Sequence, residues 1–317
     1  IQNTIVGGLA ADVLTEGNFN VAIGYAALTS DTLGSRSVAV GRSALEAQNL
    51  TTATDAYNVA VGMDAGSKIT TGVQNTLIGA LAGDALTDAD TNVAVGIGAL
   101  GSDVLGTAAV AIGSFALGSQ NFTTATTSYN VAVGQSAGGS VSTGVNNTFV
   151  GGLAGSSVTT GSFNVVTGFA AMDALTTGER NTVFGYGALG ADTLGSRNVA
   201  VGFGTLQNQN FTTATDSYNI AIGYDAGSSV TTGANNTLVG GLAGDALTTG
   251  IENVVMGRNA LTADTKGQQS VAIGNGALQA QNFTTASNAN NTAVGYIAGS
   301  SITAGLQNTI VGSHAGD

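Results

Sequence analysis

Aspartate residues recur along the chain in four pairs whose members lie 19 residues apart. The pairs are Asp12 and Asp31, Asp84 and Asp103, Asp173 and Asp192, and Asp245 and Asp264. Hard cations such as Ca²⁺ need several oxygen ligands, which two carboxylates with threonine hydroxyls and backbone carbonyls could supply. The same repetition fits solvated surface carboxylates, and the nonapeptide of calcium-binding rolls is absent. We therefore predict no resident metal and keep these eight residues as calcium candidates.

The chain offers few groups for catalysis, because it has one histidine, His314, and no cysteine. A Ser–His–acid site needs three side chains that converge in space, and a carboxylate pair can hydrolyse glycosides. Four copies of one carboxylate pair fit a repeated scaffold better than a single reaction centre. The sequence therefore predicts that the protein is not an enzyme and has no cofactor.

Four threonine-rich segments are the other candidate sites, and each places one large apolar residue just before Thr-Thr-Ala. These residues are Leu50, Phe122, Phe211 and Phe283. One interpretation is a projecting loop that binds a receptor or a surface glycan, since loops on rigid scaffolds often carry function. The other, which we favour, is that the apolar residue packs against a neighbouring chain. Exposed tyrosines are further binding candidates, namely Tyr25, Tyr186, Tyr224 and Tyr296.

Composition and charge exclude several classes of protein. The chain has 317 residues, 49 of them Gly, with no Pro, Cys or Trp, and only 8% are charged. Disordered chains combine low hydrophobicity with high charge, whereas 43% of this chain is hydrophobic. A net charge of −12 is opposite to what phosphate binding requires, so we predict no nucleic-acid partner. No apolar run approaches the roughly 20 residues of a membrane-spanning helix, so we predict no membrane insertion.

One 17-residue unit, here called a turn, recurs from end to end with the consensus N-[VT]-[AIL]-[VI]-G-x-x-A-[LG]-x-x-x-x-[TL]-G-x-x. Its fifth position is Gly in all 18 copies, its eighth is Ala in 17, and its first is Asn in 15. An invariant Gly marks a backbone corner that a side chain would not allow. An Asn repeated turn after turn can form a ladder of amides.

These two columns are the structural positions that the repeat predicts. The corner glycines are Gly7, Gly24, Gly41, Gly62, Gly79, Gly96, Gly113, Gly134, Gly151, Gly168, Gly185, Gly202, Gly223, Gly240, Gly257, Gly274, Gly295 and Gly312. The predicted asparagine ladder comprises Asn3, Asn20, Asn58, Asn75, Asn92, Asn130, Asn147, Asn164, Asn181, Asn198, Asn219, Asn236, Asn253, Asn291 and Asn308.

The turns are themselves duplicated. Four turns, which start at Ser37, Ala109, Asn198 and Ser270, have 21 residues because they contain the threonine-rich segments. The first and third, and the second and fourth, are each 161 residues apart. We therefore predict a single continuous β-solenoid over residues 1–317, with an internal duplication of approximately 1–156 and 162–317. Short strands punctuated by glycine predict an all-β, parallel solenoid of about 18 turns.

The strand within each turn is apolar on both faces. Positions two and four point to one side and position three to the other, as in Val21, Ala22 and Ile23. A thin coil encloses a core on one side only, so the other face needs a partner surface. Val at position two usually precedes Ala, and Thr usually precedes a large residue. Core packing explains such trade-offs, and the pattern predicts that both faces of the strand are tightly filled.

The unit N-[VT]-A-[VI]-G-x-x-A resembles the N-S-V-A-I-G repeats in the heads of trimeric autotransporter adhesins. It is even more similar to the N-T-A-I-G-Y-x-A-L repeats of phage tail-fibre-like proteins, as residues 20–28 and 291–296 show. The resemblance covers nearly the whole chain. It implies a left-handed β-roll and a homotrimeric fibre or adhesive head outside the cell.

The sequence and the resemblance together predict a structural segment of an extracellular or virion fibre. Its expected partner is itself, as a homotrimer or in an end-to-end filament, and its expected location is extracellular, on a cell surface or on a virion. The alternative is an adhesin module that binds a glycan or surface through the threonine-rich loops.

Overall fold

The structure, a computed structural model, describes residues 2–317 and is all-β, with no helix in that range. The chain divides into two compact units, Ile1–Gly161 and Ser162–Asp317. Each unit contains nine turns of a parallel β-solenoid, as the 17-residue repeat predicted. No helix of the described residues could span a membrane.

The first unit contains thirteen short strands. They are β1 (Thr4–Val6), β2 (Val21–Ile23), β3 (Gly34–Ser35), β4 (Val38–Val40), β5 (Thr54–Asp55), β6 (Val59–Val61), β7 (Thr76–Ile78), β8 (Val93–Val95), β9 (Gly106–Thr107), β10 (Val110–Ile112), β11 (Thr126–Thr127), β12 (Val131–Val133) and β13 (Thr148–Val150).

The second unit repeats the same order of elements. Its strands are β14 (Val165–Thr167), β15 (Thr182–Phe184), β16 (Gly195–Ser196), β17 (Val199–Val201), β18 (Thr215–Asp216), β19 (Ile220–Ile222), β20 (Thr237–Val239), β21 (Val254–Met256), β22 (Gly267–Gln268), β23 (Val271–Ile273), β24 (Ser287–Asn288), β25 (Thr292–Val294) and β26 (Thr309–Val311).

The three-residue strands of each unit form one parallel sheet in strict register. Thr4 pairs with Val21, Ile5 with Ala22, and the same positions pair in the turns that follow. Sheet order in the first unit is β1-β2-β4-β6-β7-β8-β10-β12-β13. In the second it is β14-β15-β17-β19-β20-β21-β23-β25-β26. Each turn therefore presents the same side chains to its neighbours.

The four extra residues of each long turn allow a second strand. β5 pairs with β3 of the preceding turn, and β11 pairs with β9 in the same way. The second unit repeats this arrangement with β18 on β16 and β24 on β22. The loops are thus anchored at one end to the solenoid wall.

Position five requires glycine because its backbone has a positive φ and abuts the backbone of the next turn. Gly24 has a φ of +134°, which L side chains rarely adopt. A Cβ on Gly24 would lie 2.4 Å from the carbonyl oxygen of Gly41 in the next turn. The backbone therefore turns and packs at a point where no methyl group fits.

Position three faces the interior, whereas positions two and four face outward. Ala22 is fully buried, while Val21 is half-buried and Ile23 is 37% exposed. Positions two and three thus lie on opposite sides of the wall, as the alternation of side chains along the strand predicted.

The side chains at positions three and nine fill the same part of the interior. Leu77 is large, and a Cβ on Gly83 of its own turn would lie 2.8 Å from its Cδ2. A Cβ on Gly66 of the preceding turn would lie 2.7 Å from Leu77 Cδ1. In the turn of Ala94, where position three is small, position nine is a buried leucine, Leu100. In the turn of Ala60 both positions are small, and Leu77 of the next turn reaches the space beside Gly66. Core volume is thus kept by placing the large side chain across the turn or in the next one.

Many corners are left-handed although their residues are not glycine. Leu9, Leu28 and Arg36, at positions seven, nine and seventeen, have φ values of 59°, 55° and 63°. Each such residue costs roughly 1–2 kcal/mol relative to the right-handed conformation. Hydrogen bonds between turns fix this conformation, for example from the Leu28 N–H to the Ala44 carbonyl at 3.0 Å.

Candidate functional site

The outward side chains of the three-residue strands form an apolar surface on each unit, here called the outer strand face. It comprises positions two and four of every turn. Position two is largely half-buried, and position four is more exposed. Ile78 is 40% exposed, and Phe184 and Met256 are 40% and 43% exposed.

The outer strand face carries no charge. All its members are Val, Ile, Thr, Phe or Met, although each unit has charged residues elsewhere on its surface. Monomeric soluble proteins rarely expose contiguous apolar patches of more than a few hundred square ångströms. This arrangement can exclude water against a matching surface, and it offers no group for bond-making chemistry.

The asparagine column lies inside the wall and joins successive turns. The Asn20 side chain accepts a hydrogen bond from the Ser37 N–H at 2.8 Å and donates to the Gly34 carbonyl at 2.8 Å. The N–H of the next turn donates to the amide oxygen at 2.8–3.2 Å in turn after turn. Some amides also contact directly, as from Asn253 Nδ2 to Asn236 Oδ1 at 3.1 Å.

One aspartate of each predicted calcium pair is fully buried, and these are Asp31, Asp103, Asp192 and Asp264. Asp31 accepts hydrogen bonds from the backbone N–H groups of Gly34 and Leu50, both at 3.1 Å, and from Gln48 Nε2 at 2.6 Å. Asn58 Nδ2 donates to Gln48 Oε1 at 2.9 Å. We call this chain of contacts across three turns the Asp–Gln–Asn relay.

The relay recurs in the three other long turns with nearly the same geometry. The Asp–Gln contact is 2.6 Å in every copy. Burial raises the pKa of Asp192, and the hydrogen bonds from Gln209, Phe211 and Gly195 offset part of that increase. These carboxylates therefore hold N–H donors at the base of each loop, which is a structural role.

The other four aspartates of the predicted pairs lie closer to the surface. Asp12 is exposed, and Asp84, Asp173 and Asp245 are half-buried, with burial as the main cause that raises their pKa values. Among residues 2–317, no group of three or more His, Cys, Asp or Glu residues could hold a metal ion.

The large apolar residues of the threonine-rich segments pack inside their own chain. Leu50, Phe122, Phe211 and Phe283 are only 5–8% exposed. The prediction that they pack against a neighbouring chain is therefore wrong. The reason is the relay, because its aspartate accepts the N–H of this residue and places it in the wall. The following threonines, such as Thr51 and Thr52, are exposed.

The candidate tyrosines are exposed at position six, just beyond the corner glycine. Tyr186 and Tyr224 belong to a ladder of four rings in successive turns, here called the aromatic stack: Phe169, Tyr186, Phe203 and Tyr224. Ring centroids are 5.8, 5.3 and 5.6 Å apart, and the planes differ by 16°, 7° and 11°. Reading position six as a column of its own would have revealed Phe169 and Phe203, which we did not predict.

His314 lies on the surface away from any carboxylate contact in the described residues. Its Nδ1 is 2.9 Å from Ser313 Oγ, and its ring meets Tyr296 edge-on at 5.2 Å. The prediction that the protein is not an enzyme stays a prediction.

None of the protein-family models matches this sequence, and a search of curated proteins finds no similar one.

Proposed function

We propose that this protein is a structural segment of an extracellular or virion fibre, in which copies of the chain associate through their outer strand faces. Its mechanism is mechanical. Ladders of backbone hydrogen bonds hold the turns together, and association removes the apolar outer side chains from water. A homotrimer is the assembly that we propose.

The observation that carries the proposal is the apolar, uncharged outer strand face in every turn of both units. A Val or Ile side chain has roughly 60–120 Å² of apolar surface, by area bookkeeping. With about a third of that exposed at the strand positions, the outer strand face amounts to roughly 500 Å² in each unit, or roughly 1,000 Å² summed over the chain. Stable interfaces bury about 800 Å² per partner.

A second copy of the same chain fits this face better than an unrelated partner. The face has an axial repeat equal to the spacing of parallel strands, about 4.8 Å. An identical chain has the same repeat, so its apolar rows can match at every turn. Symmetric assembly of identical chains is also the usual form of soluble oligomers.

Light scattering on purified protein tests the proposal. We expect the intact chain to have a mass three times 30.8 kDa. Val95→Lys places a charge on the outer strand face and should reduce the mass to that of one chain. Ile97→Lys is the matched control, because Ile97 is 50% exposed in the same turn but lies beyond the corner glycine. A single-chain mass for the unaltered protein would refute the proposal.

Attachment through the threonine-rich loops stays a prediction. The loop hydroxyls bond locally, as from Thr54 Oγ1 to the Thr52 carbonyl at 3.1 Å and from Thr126 Oγ1 to the Thr124 carbonyl at 3.0 Å. This geometry supports a role in shaping the loop. End-to-end filament formation likewise stays a prediction.

A further inference from the structure

The aromatic stack is an addition that folding of the turn does not require. Position six of the first unit is occupied mostly by small, aliphatic and polar residues, and its one aromatic residue, Tyr25, has none in the turns on either side. The residues 89 positions before the four rings are Ala80, Ile97, Ser114 and Gln135. These turns adopt the same strands and register as those of the stack. Four successive aromatic residues therefore need an explanation other than the fold.

A groove runs beside the stack, with Tyr186 in its wall. Its volume is about 310 Å³, at the lower end of the range for small-molecule sites. Gly187 and Gly190 lie along it and contribute no side chains. A Cβ on Gly187 would meet no atom within 4 Å, so the groove is open there.

Three polar side chains line the groove together with Ala170 and Ala191. They are Asp173, Gln207 and Asn208. A Cβ on Gly190 would lie 3.5 Å from Asp173 Oδ1, so the carboxylate borders the open space. Burial raises the pKa of Asp173, and a hydrogen bond from its own backbone N–H offsets part of that increase. A carboxylate and two amides supply both acceptors and donors, which is what paired hydroxyl groups require.

The geometry of the rings narrows the ligand class. Phe169 and Phe203 cover the two faces of Tyr186, so a flat aromatic ligand has no face to stack on. The groove therefore offers ring edges together with hydrogen-bonding groups. Asp173, Asp225 and a net charge of −12 disfavour anions. A hydroxyl-rich, uncharged molecule satisfies both conditions.

We propose that the groove beside Tyr186 is a binding site for a neutral saccharide, held by hydrogen bonds to Asp173, Gln207 and Asn208 and by apolar contact with the edge of the aromatic stack. In each turn the corner glycine separates the outer strand face from position six, where Tyr186 borders the groove. Saccharide binding is thus separate from association of the chains, and either can fail without the other.

Titration calorimetry with defined probes tests the site. The neutral probes are maltotetraose, cellotetraose and chitotetraose, and tetragalacturonate is the anionic counterpart. We expect at least one neutral probe to bind the intact protein and the anionic probe to bind at least tenfold more weakly. Failure of all three neutral probes to bind at millimolar concentration, or preferential binding of tetragalacturonate, overturns the proposal.

Gly187→Leu should fill the groove and weaken binding at least tenfold. The substitution suits the backbone, because Leu81 and Leu242 occupy the same position of their turns with φ of 58°, against 60° at Gly187. Gly276→Leu is the matched control, since Gly276 holds this position in a distant turn with φ of 66°. Normal binding by Gly187→Leu, or equal loss in Gly276→Leu, overturns the proposal.

Tyr186→Ala separates a ligand site from a purely structural or interchain role of the stack. We expect at least a tenfold loss of affinity with the oligomeric mass unchanged. A variant with a changed mass or melting temperature but unaltered saccharide affinity would show that the stack serves packing alone, and would overturn the proposal.

Discussion

Moving one leucine across a turn tests how the core is filled. Leu77→Ala removes a fully buried side chain and should cost about 2–5 kcal/mol of unfolding free energy. Gly83→Leu should cost about 1–3 kcal/mol from overpacking, since a Cβ there already lies 2.8 Å from Leu77 Cδ2 and Leu86 Cδ1. Left-handed strain at Gly83, where φ is 56°, adds roughly 1–2 kcal/mol.

The double variant should be more stable than the sum of these costs implies. It places Ala at position three and Leu at position nine, as in the turn of Ala94 and Leu100. A void remains beneath Gly66, whose Cβ would have met Leu77. We therefore expect a coupling free energy of about 2 kcal/mol rather than full recovery.

Urea unfolding at fixed protein concentration measures the coupling, because neither residue lies on the outer strand face. Hydrogen exchange of the peptide that contains residues 75–91 checks that the change is local. Leu77→Ala combined with Gly244→Leu is the control, because Gly244 holds position nine of a different turn, and this pair should be additive. Additivity in the Leu77–Gly83 pair would refute the account of the core.

Three further predictions follow from the corner, the relay and the half-buried carboxylates. Gly24→Ala should lower the melting temperature sharply, because the new Cβ would lie 2.4 Å from a backbone oxygen. Gly8→Ala is the control and should not lower it, because its Cβ would lie 3.6 Å from the nearest Tyr25 atom. Equal melting temperatures of the two variants would contradict this. Gln120→Leu leaves the buried Asp103 carboxylate without its 2.6 Å partner and should cost about 1–3 kcal/mol in urea unfolding, whereas the same change at the exposed Gln269 should cost little. Burial raises the folded-state pKa values of Asp84, Asp173 and Asp245, so the folded state binds more protons than the unfolded state. The stability that these three carboxyl groups contribute is therefore present at low pH and is lost as the pH rises above about 4. Replacing all three with Asn should flatten the change in melting temperature between pH 4 and pH 7, and an unchanged pH profile would contradict this reading.

The sequence predicted the coil because stacking constrains a few positions absolutely. Glycine at position five and asparagine at position one recur because each meets its own copy in the next turn, as Gly24 meets Gly41. The strand alone does not indicate which of its two faces points to the interior, because Val21, Ala22 and Ile23 are all apolar. Position nine indicates that position three faces the interior, because Gly83 accompanies the large Leu77 and Leu100 accompanies the small Ala94.

Two other features escaped prediction for identifiable reasons. The repeated aspartate pairs fit solvated surface carboxylates, yet Asp31 is fully buried. Burying a charge is costly unless it is paired, and Gln48, 17 residues later, supplies the partner. Leu9 and Phe115 adopt left-handed φ values of 59° and 56° that their residue types disfavour. Hydrogen bonds between turns impose that conformation, and a single turn of sequence does not show them.

Cross-linking at a single introduced cysteine tests association through the outer strand face most directly, because the natural chain has no cysteine. Val95→Cys and Ile97→Cys are treated separately with a short bismaleimide under native conditions. The account predicts that Val95→Cys joins chains efficiently and that Ile97→Cys leaves them separate. Absence of linked chains at position 95, or equal linkage at position 97, would contradict it.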